Sequence, residues 1–185
     1  MLQALKQTGP YTEEDYYGLP ENIHAELIDG QFYNMAAPGR THQEILGALH
    51  FQIYQHILSK NGPCKVYPAP FAVKLFHHDK TIVEPDISVI CKPERLTEKG
   101  CTGAPDWIIE IVSPSNPGHD YVRKLNLYMD AGVREYWIVN PMTNKTAVYC
   151  LSEDPGFSME TYSFQDSIKA GIFDDLWIDF REISR

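Results

Sequence analysis

The chain has 185 residues, of which 43% are hydrophobic and 22% charged, a composition that suits one domain with a sizeable core and excludes a disordered tract. No run approaches the roughly 18 apolar residues of a membrane span, and the N-terminus lacks the basic start and long apolar stretch of a signal peptide, so a cytoplasmic protein with no membrane partner is expected. Sixteen basic against twenty-five acidic residues give a net charge of −9, the wrong sign for tight sequence-independent binding to DNA, although it leaves room for a local basic groove.

In chain order, residues 12–18 read as a short helical turn with Thr12 as N-cap. HAELIDGQFYNM then reads as a hairpin around Asp29-Gly30. The clearest helix follows: Thr41 and Glu44 read as a capping box, Ile45, Leu46, Leu49, Ile53 and Ile57 recur at helical spacing, and Asn61-Gly62 supplies the stop. CKVYPAPFAVKLF, EPDISVIC and DWIIEIV are three strand candidates, the last two separated by the turn-rich KPERLTEKGCTGAP. Residues 119–131 read as a second helix with Tyr121, Leu125 and Tyr128 on one face and Gly132 at its end. REYWIVN is a short strand closed by Pro141, and KTAVYCL through LWIDF read as further strands.

This order predicts an α/β fold: a mixed central sheet flanked by helices, with an N-terminal hairpin and extra C-terminal strands. DWIIEIV, the second helix and REYWIVN read as a parallel crossover. No linker divides the chain, so one domain over residues 1–185 is expected, with its core at about 41–141. Cys64, Cys91, Cys101 and Cys150 form no CxxC pair, which points to reduced thiols rather than a zinc site or a disulfide framework.

Glu110 is the most informative polar residue. It lies in WIIEIV, apolar on both alternating faces as a central strand is, where an unpaired charge costs several kcal/mol to bury. The alternative is a strand-end carboxylate reaching solvent or paired with an arginine, but sheet ends are also where open α/β folds bind ligands. Asp86, in EPDISVI, is bland alone and gains weight if its strand neighbours that of Glu110. Two carboxylates about 5 Å apart repel by about 3 kcal/mol at an effective dielectric near 20. A divalent cation relieves this, and oxygen ligands suit magnesium or manganese. Lys124, at the border of the second helix's apolar face, either lies along the surface or points its ammonium at the acids. Glu26 is a further acid, with a surface position in the hairpin as its alternative, and His42 reads as a helix-start histidine rather than a ligand. No HExxH, GxGxxG, phosphate-binding loop or GxSxG elbow occurs.

The segments ELIDGQFYNMAAP, EPDISVI, GAPDWIIEIVSPSN and KLNLYMDAGVREYWIVNP resemble, in order and spacing, the Uma-type putative restriction endonuclease family, formerly a domain of unknown function. The resemblance runs from about residue 11 to LWIDF and implies the restriction-endonuclease-like fold of the PD-(D/E)XK nucleases. It further implies a Mg²⁺ (or Mn²⁺) site and DNA as substrate, with Pro85-Asp86 as the first half of the motif and Glu110 as its second acid. Val112 stands where that superfamily usually has its lysine. The Uma-type pattern places a lysine on the following helix, which Lys124 matches, and an acid in ELIDG, which Glu26 matches. The metal set implied is Asp86, Glu110 and the Ile111 carbonyl. Nucleases that cut both strands often pair subunits, which leaves a homodimer open.

Overall fold

The computed structural model describes residues 9–113, 119–152 and 156–183. In chain order they form α1 (Glu13–Tyr17), β1 (Ala25–Ile28), β2 (Gln31–Asn34), α2 (Arg40–Lys60), β3 (Lys65–Pro68), β4 (Val73–Lys74), β5 (Ile82–Val83) and β6 (Ile87–Ile90). There follow β7 (Leu96–Thr97), β8 (Gly100–Thr102), β9 (Trp107–Ile111), α3 (His119–Ala131), β10 (Glu135–Asn140), β11 (Lys145–Cys150), β12 (Ser158–Ser163), β13 (Ser167–Lys169) and β14 (Trp177–Asp179). The mixed α/β class is the one expected from the sequence.

The local signals act through identifiable bonds. Thr12 caps α1, its N–H and hydroxyl both donating to Asp15 Oδ2 at 2.8 and 3.0 Å. Asp29 and Gly30 turn the first hairpin with φ of 51° and 75°, the doubly positive pair a tight two-residue loop requires. A Cβ on Gly30 would lie 2.7 Å from Pro10 Cβ, so the position is closed to other residues on two counts. Gly132 ends α3 with φ 87°. Its N–H donates to the Met129 carbonyl and that of Val133 to the Tyr128 carbonyl, a Schellman closure that fixes the last turn.

The capping box expected at Thr41 is not formed. α2 begins two residues earlier, with Gly39 extended at its N-cap. Glu44 pairs instead with Arg40, one turn back, at 2.8 Å. The stop falls where expected, with Asn61 left-handed at φ 50°. For the second helix, the expected place of Tyr121's side chain lies outside the described residues.

Two six-stranded sheets form where one central sheet was expected. The first runs β12-β11-β10-β9-β6-β3, with β9 and β10 parallel as the crossover requires and the other neighbours antiparallel. The second runs β2-β1-β5-β4-β8-β7 and absorbs the N-terminal hairpin. CKVYPAPFAVKLF is therefore not one strand: its first half, β3, joins the first sheet, and its second, β4, joins the other. Pro70, which has no N–H to give a ladder, sits in the passage between them. The segment read as turns, KPERLTEKGCTGAP, contributes the β7–β8 pair. Cys64 and Cys91 are not free thiols but a disulfide, because Lys65 pairs with Ile90 and so sets the two cysteines opposite each other. Cys101 and Cys150 remain free.

Alternation along β9 divides the core in two. Trp107, Ile109 and Ile111 pack with Leu49 and Ile53 of α2 and with Ile168 and Ile178 of the β13–β14 pair. Ile108 packs the opposite way, with Tyr128 of α3 and with Ile28, Val73 and Val83 of the second sheet. The first sheet is thus sandwiched, and any residue at the end of β9 is reachable from both layers.

Candidate active site

Register brings the acids together. Ile87 pairs with Ile109 in the antiparallel β6–β9 ladder, so Asp86, one residue before β6, falls opposite Glu110. Asp86 Oδ2 accepts the Ile111 N–H at 2.7 Å and stands 3.1 Å from His42 Nε2. Glu110 follows the alternation of Ile108 and projects toward α3. There Lys124 Nζ donates to Glu110 Oε1 at 2.9 Å and to Glu26 Oε1 at 3.0 Å. The Tyr128 hydroxyl, one turn beyond Lys124, donates to the same Glu110 oxygen at 2.8 Å. Glu26 arrives from β1 in the second sheet and also accepts the Glu84 N–H at 3.0 Å. Glu84 in turn receives the hydroxyl of Tyr16 from α1.

Burial makes these contacts consequential. The side chains of Lys124, Glu26 and Glu110 are 5%, 5% and 9% exposed, whereas that of Asp86 is 14% exposed, so the cluster opens to solvent on the Asp86 side. Burial raises the Glu110 carboxyl to about 7 against the pull of the Lys124 ammonium, and the charges of Asp86 and Glu26 push the same way. Burial opposes the charge on Lys124, but Glu110 and Glu26 outweigh it and hold the ammonium above the ordinary lysine range. Burial and the neighbouring glutamates likewise keep Tyr128 protonated far above the ordinary phenol value. For His42 burial works against protonation, yet its hydrogen bond to Asp86, the charges of Asp86 and Glu110, and the nearby Ile111 carbonyl raise it overall.

The structure therefore gathers Asp86, Glu110, Lys124 and Glu26 in one place, with the Ile111 backbone beside them. Glu26 is not a surface glutamate of the hairpin: the second sheet buries it. Lys124 is enclosed rather than lying along the surface. His42, expected to do no more than begin a helix, touches the cluster. Sequence reading passed over Tyr128 and the Tyr16–Glu84 pair. The spacing of Lys124 and Tyr128, four residues on one helix, was the available signal for the first.

Three carboxylates gather here, and two of them share the Lys124 ammonium, an imbalance that suits a divalent cation. No described residue donates a hydrogen bond to Asp86 Oδ1 or Glu110 Oε2, which leaves one oxygen of each acid for a ligand role. No three His, Cys, Asp or Glu side chains among the described residues are already placed to share one ion. The candidate set is smaller, two carboxylates and a carbonyl, and magnesium takes such sets because it keeps several waters. A separate hollow of about 360 Å³, lined by Glu13, Tyr17, Lys74, Lys99 and Cys101 among others, contains none of these acids. Both of its lysines are engaged, Lys74 with Glu13 and Lys99 over the Tyr17 ring. No helix among the described residues is long and apolar enough to cross a membrane.

Comparison with known proteins bears on this arrangement. The family model described as "Uma2: Putative restriction endonuclease" matches residues 13–181. An uncharacterized protein of Synechocystis sp. is 23% identical over 145 residues, 78% of this chain and 75% of its own length. The crystal structure of a putative nuclease belonging to DUF820, from Anabaena variabilis, superposes with a TM-score of 0.75 at 21% identity, covering 94% of this chain and 97% of its own. At that identity the likeness establishes the fold.

Proposed function

Because the chain belongs to the Uma2 family, described as putative restriction endonucleases, we propose that it is a nuclease hydrolysing the phosphodiester bonds of DNA with the help of magnesium or manganese. The observation that carries this reading is the buried charge imbalance: Glu26 and Glu110 meet on the ammonium of Lys124, and the charge of Asp86 bears on Glu110 from the other side. Asp86 Oδ1, Glu110 Oε2 and the Ile111 carbonyl are the groups that would hold the cation. When bound, it supplies Lewis-acid polarisation of a phosphate oxygen and acidifies a bound water.

The chain's own residues do the rest. Lys124 and Tyr128 both donate to Glu110 Oε1, which leaves Oε2 as the oxygen to face the cation. An ammonium has three N–H donors. Glu110 and Glu26 accept two from Lys124, no described residue accepts the third, and that N–H would orient the attacking water or meet charge growing on the phosphate. Glu26 anchors Lys124 from the second sheet and assists at the cation's edge. The test is cleavage of single-stranded, duplex and branched DNA with Mg²⁺, Mn²⁺ or EDTA by the wild type, Glu110→Gln and Lys124→Ala. Metal-dependent cleavage that drops by roughly 10²-fold or more in each variant is the expected result. Activity surviving both substitutions sinks the assignment.

A second reading, a catalytically idle domain acting as a binding or assembly module, is favoured by the net charge of −9 and by Val112 in place of the usual strand lysine. Titration with Mn²⁺ separates the two. The nuclease reading requires binding that Asp86→Asn abolishes, and an idle domain shows neither effect.

A further inference from the structure

We propose that His42 is the positioning residue of this site: its Nε2–H holds Asp86 Oδ2 and thereby directs Oδ1 at the cation. The inference rests on the cation reading above and names a residue outside the ligand set. Asp86 Oδ2 has two donors that come from different layers, the Ile111 N–H of β9 at 2.7 Å and the His42 ring of α2 at 3.1 Å. Two bonds to one oxygen from fixed directions restrict rotation of the carboxylate, and no described residue donates to the other oxygen. An ionised carboxylate only accepts hydrogen bonds, so the proton in this contact belongs to Nε2.

The ring itself is held firmly. His42 heads the stripe of Ile45, Leu46, Leu49, Ile53 and Ile57 that seats α2 on the first sheet, and it is 8% exposed. Packing alone does not call for an imidazole there. Nδ1 is buried and has no hydrogen-bond partner among the described residues, a cost that an apolar residue of similar size would avoid. What an apolar residue cannot supply is the Nε2 donor. Groups that orient a metal-binding carboxylate through a hydrogen bond tune affinity without touching the metal.

The experiment is titration of the full chain with Mn²⁺, followed by calorimetry, for the wild type, His42→Ala and His42→Gln, with a thermal melt of each. Glutamine retains an N–H donor of comparable reach. His42→Ala should bind Mn²⁺ about 10- to 100-fold more weakly, and His42→Gln should recover most of that loss. In cleavage assays kcat should fall in His42→Ala while KM for DNA holds. Wild-type affinity in His42→Ala, or equal losses in both variants, overturns the proposal, the second outcome assigning the ring a packing role only. If His42→Ala does not fold, His42→Gln alone decides: near wild-type affinity supports the proposal and a loss of about tenfold or more overturns it. Failure of the wild type itself to bind Mn²⁺ defeats the cation reading instead, and this inference with it.

Discussion

Lys124 holds together two acids that come from different sheets, and its removal should be felt in stability before chemistry. Lys124→Ala leaves Glu26 and Glu110 buried without their cation, a loss of about 3–5 kcal/mol for breaking a buried pair from one side. Denaturant unfolding of the metal-free protein measures it, and a change under about 1 kcal/mol would mean that the pair is more hydrated than its burial suggests. Glu110 adds a pH dependence. Its proton, retained up to about 7 through burial, competes with a cation, so Mn²⁺ affinity should rise with pH toward 7 and level off above it. For the metal-free fold the sign is opposite. A folded-state value raised from 4.5 to about 7 means that the stability this group contributes is full below 4.5 and is lost as pH rises through 7. Glu110→Gln should flatten that slope. At this scale the sequence was informative for Glu110, whose apolar strand makes a bystander carboxylate costly, and for Asp86 once the two strands were paired. It was silent about the burial of Glu26, because the wall enclosing that residue is built from strands distant in sequence.

Among the elements, those long enough to show a period were legible: α2, α3, β9 and β10, and the hairpin marked by Asp29-Gly30. The strands of the second sheet were not. β4, β5 and β7 have two residues each, too few for alternation to appear, and they exist because neighbours pair with them. The start of α2 was misplaced by reading Thr41 and Glu44 as a box, when Arg40 is the nearer partner for Glu44. The Cys64–Cys91 link was invisible for a related reason: spacing carries no information about it, whereas the β3–β6 register dictates it. Unfolded, unreduced protein should therefore show two reactive thiols, those of Cys101 and Cys150, and four after reduction. A bridge across 27 residues should be worth about 3–4 kcal/mol, readable as the stability lost on reduction. Four reactive thiols without reductant would remove the link.

For the whole molecule, the layering explains why one spot can combine chemistry from so many places. The first sheet ends at Glu110 and Ile111, α2 reaches that end from one side with His42, and α3 and the second sheet reach it from the other with Lys124 and Glu26. A net charge of −9 gives the chain as a whole little general attraction for DNA, so in the proposed nuclease reading the cation is expected to carry much of the phosphate binding. The most direct test is crystallographic: anomalous scattering from a crystal soaked in Mn²⁺. A peak is expected at coordination distance from Asp86 Oδ1, Glu110 Oε2 and the Ile111 carbonyl, and it should disappear in Glu110→Gln. Manganese bound elsewhere with those oxygens left uncoordinated, or a peak unchanged by the substitution, would contradict the cation reading.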